Sequence, residues 1–171
     1  RSTLFPYTTL FRSLDKYAAR DEDANIIEDT PEKMHRRTAK EFARIEKNKF
    51  KDPLTEDYIF SLLDHFRYIT PQGSILYGIG NDVQTISLSN CYVIDSPEDS
   101  YGAILHADQQ LAQISKRRGG VGVDLSKLRP RGSATKNAAR TSTGITSWME
   151  RYSNTIREVG QDGRRGALML S

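Results

Sequence analysis

Strand-like and helix-like hydrophobic patterns alternate along the second half of the chain, and this alternation constrains the fold more than any other feature. Residues 84–95 alternate apolar and polar side chains, as a half-buried strand does, and a helical pattern follows from Asp99 or Ser100. A short apolar run at 120–125, a second amphipathic helix from 145 to 159 and a terminal apolar run complete the order. This order predicts an α/β sheet or barrel with right-handed crossovers between parallel strands, incomplete in this chain.

Two helices are predicted before the alternating region. A helix is predicted over about residues 31–48. Thr30 is a typical N-cap, Pro31 suits the first helical position, and Glu32 is an acid in the first turn. Thr55 caps a second apolar stripe, which extends to Ile69, so the two helices are expected to form a hairpin. Turn residues then surround a short apolar run at 75–77, which predicts a further strand. Residues 14–69 are thus interpreted as a helical region, with a polar, extended lead-in up to residue 29, and 70–171 as the start of the α/β domain.

The first thirteen residues, RSTLFPYTTLFRS, fit no element. They lack helical spacing, and Pro6 and Arg12 break the continuous apolar run that a secretory signal needs. The segment resembles the read-through translation of a sequencing-library adapter and is therefore left out of the fold prediction. Without Arg1 and Arg12 the formal net charge falls from +3 to +1, which is too weak to indicate a nucleic-acid partner.

Composition narrows the class of protein. The chain is 37% hydrophobic and 27% charged, as is ordinary for a globular protein, and it contains no apolar run of membrane-spanning length. These features predict a cytoplasmic protein. Its single cysteine, Cys91, excludes an internal disulfide framework. The adapter-like start and an ending inside an apolar run, GALMLS, predict a fragment of a longer chain.

Four segments hold residues that could carry chemistry, and each has a structural alternative. Cys91 lies on a predicted strand among small polar residues, where it is either a small buried hydrophobe or a reactive thiol. RRGGVG either ends a helix with glycines or lets the backbone approach a ligand closely. It follows a helix, whereas a dinucleotide-binding fingerprint follows a strand. The arginine-rich loop at 126–143 and QDGRRG are either solvated turns or anion sites. The three histidines, His35, His65 and His106, lie in separate predicted elements and predict no metal site.

Taken in order, four motifs resemble the catalytic subunit of ribonucleotide reductase: SLSNCYVIDSPEDSYGAI, KRRGGVGVDLSKLRPRGS, TSTG and MERYSNTIREVGQDGRRGALMLS. The resemblance covers about residues 14–171, and the block from Ser87 to Ser171 carries most of its specificity. RRGGVGVDLSKLRPRGS and GRRGALMLS resemble the adenosylcobalamin-dependent class II branch, while the metal-cofactor class I branch shares the architecture.

The resemblance implies a ten-stranded α/β barrel preceded by helices, with a redox cysteine on its first strand, which Cys91 matches. In the family, a thiyl radical on a later cysteine abstracts the 3′ hydrogen of a ribonucleotide. The 2′ hydroxyl then leaves as water, and the redox pair supplies two electrons and closes to a disulfide. The partner and radical cysteines lie downstream in the family, so this chain alone is expected to be inactive.

The resemblance also implies binding residues. Asn90 and Gly120 match positions that line the substrate nucleotide, and Ser74 matches a phosphate or ribose contact. The site for an allosteric deoxynucleoside triphosphate or ATP is matched by residues of two loops and a helix start: Asp99, Ser100, Tyr101, Arg129 and Arg165. No metal ligand is implied on this chain.

The implied cofactor is adenosylcobalamin, and the alternative is the metal-cofactor radical subunit of class I. The implied partners are a ribonucleotide, the effector, a thioredoxin or glutaredoxin-type reductant and a second copy of the full-length protein, with no nucleic acid and no membrane. Two other functions stay open from the residues: a nucleotide-sensing or nucleic-acid-binding module without redox chemistry, and a structural role in which Cys91 is inert core.

Overall fold

The computed structural model describes residues 14–160 and 166–171. The chain divides into two compact units, residues 1–88 (unit 1) and residues 89–171 (unit 2). The described residues contain no helix long and apolar enough to cross a membrane.

The helical hairpin of unit 1 confirms the sequence prediction. Helix α1 (Pro31–Lys49) begins at Thr30, whose side chain accepts a hydrogen bond from the Lys33 amide, and helix α2 (Glu56–Leu63) begins at Thr55 in the same way. The helices pack through the core of Ala39, Ala43, Ile59 and Leu63. Because each cap satisfies an otherwise unpaired amide of the first turn, these two starts could be predicted from local sequence.

Helix α2 ends earlier than its apolar stripe predicts. A 3-10 turn, Asp64–Phe66, follows Leu63, and both His65 and Phe66 adopt the left-handed conformation with φ of 52°. Left-handed backbone is uncommon for residues other than glycine and ends the helical path. The continuation of the helix to residue 69 was therefore a wrong prediction.

The predicted strand at 75–77 is also wrong, because these residues lie in a short helix, α3 (Gly73–Gly78). The amides of Leu76 and Ile79 donate to the carbonyls of Gln72 and Ile75, so the backbone is paired locally. Leu76 and Tyr77 are both buried. A short apolar run has no periodicity that distinguishes strand from helix, and packing decided in favour of the helix.

The lead-in to α1 is folded rather than extended. Arg20 and Ile26 form an antiparallel bridge, and Ala18, Ala19 and Glu28 are buried. The Glu28 carboxylate accepts a hydrogen bond from the Ala19 amide at 2.8 Å and pairs with Arg37 of α1 at 2.6 Å. The prediction of a polar, extended segment was therefore wrong, because a buried ion pair satisfies its charge.

Unit 2 has the predicted order of strands and helices. Strands β1 (Cys91–Ile94), β2 (Gly120–Val123) and β3 (Leu168–Leu170) alternate with helices α4 (Tyr101–Ser115) and α5 (Ile145–Glu158). The strands pair in the order β1-β2-β3, and both pairs are parallel. The parallel α/β class is therefore confirmed. The described residues form an open three-stranded sheet, and a closed ten-stranded barrel stays a prediction.

The two faces of this sheet differ. One face packs with α4 and α5 in the main core, which includes Leu111, Val121, Val123 and Tyr152. On the other face Cys91 is exposed, as are Val93 (88%) and Met169 (74%). The predicted alternation is confirmed over residues 91–94. However, β1 is shorter than predicted, so Cys91 is its first residue and does not lie in mid-strand.

Candidate functional site

Three of the residues implied for catalysis and substrate binding adjoin at the beginning of β1 and β2. Cys91 pairs with Gly120 in the parallel register, and the Gly120 amide donates to the carbonyl of Asn90 at 2.7 Å. A Cβ atom at Gly120 would lie 3.2 Å from that of Ala167 and 3.4 Å from the Asn90 oxygen, so the position is tight for any side chain. We call Asn90, Cys91 and Gly120 the strand-start cluster.

The thiol of Cys91 is free and exposed. This exposure contradicts the alternative that Cys91 is a small buried hydrophobe. Its strand is held in register with β2 and covered on its other face by helices, so the position of the thiol is fixed by the sheet. A group that must exchange electrons with other thiols needs this combination of access and fixed geometry.

A second set of implied residues surrounds a cavity of about 300 Å³ in unit 2. Asp99, Ser100 and Tyr101 come from the start of α4, and Arg129 comes from the loop at 126–143. Arg165 lies outside the described residues. We call this space the α4 cavity. Its volume is at the lower end of the range for small-molecule sites.

Arg129 is held from two sides. Its Nε donates to the Asp99 carboxylate, and its Nη1 donates to the carbonyl of Ala134 at 2.9 Å. The loop is itself ordered, since the Gly132 amide donates to the Ser142 carbonyl and the Ser142 amide to the Ser133 carbonyl. Ala134 also forms an antiparallel bridge with Thr141. A fixed guanidinium at the wall of a cavity suits the oxygens of a phosphate group.

The start of α4 contributes a second group that favours an anion in the α4 cavity. Ser100 is extended at φ −147° and caps the helix by accepting a hydrogen bond from the Ala103 amide at 3.2 Å. The amino end of this fifteen-residue helix therefore lies at the cavity wall, where its partial positive charge favours an anion. Lys127 of the same loop is not a lining residue, and its hydrogen bond to Glu98 raises its pKa above the ordinary value.

Sequence reasoning missed much of the α4 cavity. Lys136 lines it, whereas the neighbouring Arg131 does not, and composition alone could not separate the two. The Asn137 amide donates to the Tyr101 hydroxyl at 3.3 Å, and the ring of Tyr101 lies 5.7 Å from that of Trp148. The sequence predicts only that Trp148 lies within the amphipathic helix from 145 to 159. Its contact with Tyr101 depends on how α4 and α5 pack, for which the sequence holds no local signal.

Ser74, implied as a substrate contact, belongs to unit 1. It lies in the first turn of α3 and is 1% exposed. The expectation that it lies in a turn was therefore wrong at the level of secondary structure. Its role stays a prediction.

Comparison with known proteins agrees with the resemblance. Residues 89–171 match the family described as ribonucleotide reductase, barrel domain. A ribonucleoside-diphosphate reductase large subunit of Caenorhabditis elegans is 33% identical over 99 residues, which is 58% of this chain and 12% of that protein. The Trypanosoma brucei brucei large subunit is 29% identical over 168 residues, which is 97% of this chain and 19% of that protein.

A third relative, the subunit alpha of Synechocystis sp., is 37% identical over 82 residues, which is 46% of this chain and 10% of that protein. The chain thus spans less than a fifth of the length of these relatives. Unit 2 matches the barrel domain of ribonucleotide reductases, and the chain is similar to the large subunits of ribonucleoside-diphosphate reductases.

Proposed function

We propose that this chain is part of the catalytic chain of a ribonucleotide reductase, and that the full protein reduces ribonucleotides to 2′-deoxyribonucleotides for DNA synthesis. The observation that carries the proposal is the strand-start cluster, in which an exposed cysteine adjoins Asn90 and Gly120 within the matched domain. The names of the relatives favour a ribonucleoside diphosphate as the substrate. They also favour a reductase over a nucleic-acid-binding module.

In this proposal Cys91 is one thiol of the redox pair. The two thiols give up two electrons and two protons and close to a disulfide, and the 2′ hydroxyl of the ribose leaves as water. Asn90 and Gly120 lie beside the substrate, and the absence of a side chain at Gly120 lets its backbone pack against Ala167 and Asn90. A thioredoxin or glutaredoxin-type reductant then restores the thiols, and the full-length protein is a homodimer.

The test uses the chain extended to its full length. Cys91→Ser is expected to lower turnover at least about a hundredfold with a dithiol reductant, because a hydroxyl cannot close a disulfide. The control is His106→Ala, an exposed change on α4 of the same unit, which should leave turnover unchanged. Equal turnover of the Cys91→Ser variant and the parent would overturn the proposal.

We also propose that the α4 cavity binds the deoxynucleoside triphosphate or ATP effector. The fixed guanidinium of Arg129, the amino end of α4 and the hydroxyl of Ser100 support a phosphate site, and Lys136 adds a second cation. Asp99 supports it indirectly, because its carboxylate holds Arg129 in place. The exposed ring of Tyr101 offers a surface for a base. Arg165 is proposed for the same site from its motif alone.

The loop offers a matched pair of arginines for testing this site. Arg129→Met is expected to weaken dATP binding by about tenfold to a hundredfold, since it removes a charge-assisted contact. Arg131→Met removes the same charge two residues away but does not alter the cavity wall. Calorimetric titration of dATP into both variants checks the expectation, and equal affinities would contradict it.

The radical generator is proposed to be the metal-cofactor subunit of class I. The relatives are named large subunits or large chains, which favours this alternative over adenosylcobalamin.

A further inference from the structure

Unit 1 contains a compact group of metal-ligating side chains that the proposed reductase chemistry does not use. One carboxylate oxygen each of Glu32 and Asp64 and one ring nitrogen of His65 all lie within 4.8 Å of one another. They come from the first turn of α1 and from the 3-10 turn after α2. Among the described residues this is the one such group of three. Exposed acidic groups alone would not indicate a ligand.

A buried histidine beside this group provides the second observation. His35 is 1% exposed, and neither of its ring nitrogens has a hydrogen-bond partner among the described residues. Buried polar groups are nearly always paired, because an unpaired one loses its hydrogen bonds to water without replacement. His35 therefore needs a partner that the protein atoms around it do not supply.

His35 lies near the same group in the sequence and in the fold. It follows Glu32 by three residues, which places both on one face of α1. Its ring packs edge-on against Phe66, the residue after His65, at 4.7 Å between centroids. Burial lowers the pKa of His35, and the charges of Asp64 and Glu32 are the strongest that oppose this shift. Because burial favours the neutral imidazole, a ring nitrogen of His35 has the chemistry of a metal ligand.

We propose that Glu32, His35, Asp64 and His65 bind one divalent cation of the zinc class. Two imidazoles and two carboxylates form a four-coordinate ligand set that Zn²⁺ accepts, and their two negative charges balance those of the ion. At present His65 Nδ1 lies 3.0 Å from Asp64 Oδ2, so binding replaces a proton-mediated contact by two metal–ligand bonds. His35 lies outside the 4.8 Å group. In this proposal its side chain rotates toward the ion on binding.

The ion would fix a backbone that is otherwise costly to hold. His65 and Phe66 are both left-handed, and the turn they form connects α2 with the following segment. Joining this turn to the first turn of α1 links two elements separated by more than thirty residues. The site is therefore structural, and its effect is expected on unit 1.

The test titrates Zn²⁺ into the 171-residue chain carrying Cys91→Ser, so that the exposed thiol cannot bind the metal. One equivalent is expected to bind, measured by competition with a chromogenic chelator, and Co²⁺ should give the visible absorption of a tetrahedral site. His65→Ala and His35→Gln should each weaken binding at least about tenfold, and His106→Ala should change it less than about twofold.

Any other outcome overturns a specific part of the zinc-site proposal. Equal Zn²⁺ affinity of the parent and His65→Ala, or no stoichiometric uptake, overturns the site. Weakening confined to His65→Ala overturns the assignment of His35 as a ligand. Equal weakening by His106→Ala shows nonspecific uptake. Because His65 is exposed, its variant should keep the circular dichroism of the parent, so a loss of folding does not obscure the result.

Discussion

Unit 1 and unit 2 each join distant segments through a carboxylate, but they surround it differently. In unit 1 the Glu28 side chain is buried, at 8% exposure, and the Arg37 side chain is only 13% exposed. In unit 2 the Asp108 side chain is 10% exposed, while its partner Arg151 is 51% exposed. A cation that reaches water keeps part of its hydration when its partner is lost, whereas a buried cation does not. The exposure of the remaining partner therefore decides how much stability the unit loses when one member of the pair is removed.

Arg37 connects more segments than any other cation described in unit 1. It pairs with Glu28 through Nε at 2.6 Å and Nη2 at 3.1 Å, and it donates to the carbonyls of Leu76 and Ile79. The lead-in, α1 and α3 therefore meet at one guanidinium. In unit 2 two side chains of α5 make the corresponding contact, because Arg151 and Thr155 both donate hydrogen bonds to Asp108 of α4.

The largest effect is expected for Arg37→Met. Removing the guanidinium leaves the Glu28 carboxylate buried and unpaired, which should lower the free energy of unfolding of unit 1 by about 3–5 kcal/mol. Hydrogen exchange of the α1 amides, followed by mass spectrometry, measures this. Arg44→Met is the control, because Arg44 forms an exposed pair with Glu41, and exposed pairs stabilise a fold little. Similar exchange in the two variants would contradict the comparison.

A smaller effect is expected for Asp108→Ala in unit 2. The change removes the contacts to Arg151 at 2.8 Å and Thr155 at 2.5 Å, but Arg151 can turn to water. The expected loss is about 1.5–3 kcal/mol. Urea unfolding followed by the fluorescence of Trp148, the one tryptophan of the chain, measures unit 2. Asp124→Ala, which removes an exposed carboxylate, is the control. A loss larger than that of Arg37→Met would reverse the comparison.

The smallest effect depends on pH and belongs to unit 2. Tyr152 is fully buried and donates to the carbonyl of Ile104 at 2.8 Å, and burial raises its pKa to about 12. Since the folded pKa exceeds the ordinary value of about 10, the stabilisation is fully present below pH 10 and is lost as the pH rises toward 12. Urea unfolding of unit 2 at pH 8 to 12 should show this decline. Tyr152→Phe should remove most of it and cost about 1 kcal/mol at pH 8. An equal decline in the parent and in Tyr152→Phe would show that other titrating groups cause the loss of stability.

The sequence alone determined the features that depend on neighbouring residues. The starts of α1, α2 and α4 follow from Thr30, Thr55 and Ser100, because a cap acts on an amide three residues away. The order of strands and helices in unit 2 follows from long periodic patterns. Four residues that the motif resemblance implies for one site line one cavity: Asp99, Ser100, Tyr101 and Arg129.

Only the tertiary structure decided the features that depend on distant residues. Nothing near Glu28 in the sequence indicates that it is buried against Arg37, and nothing near Trp148 indicates its contact with Tyr101. The same holds for His35 and Phe66, whose rings pack edge to face only because the turn after α2 packs against α1. Local patterns fix backbone hydrogen bonds within a few residues. The pairing of buried charges and the walls of cavities form only when segments far apart in the chain exclude water together.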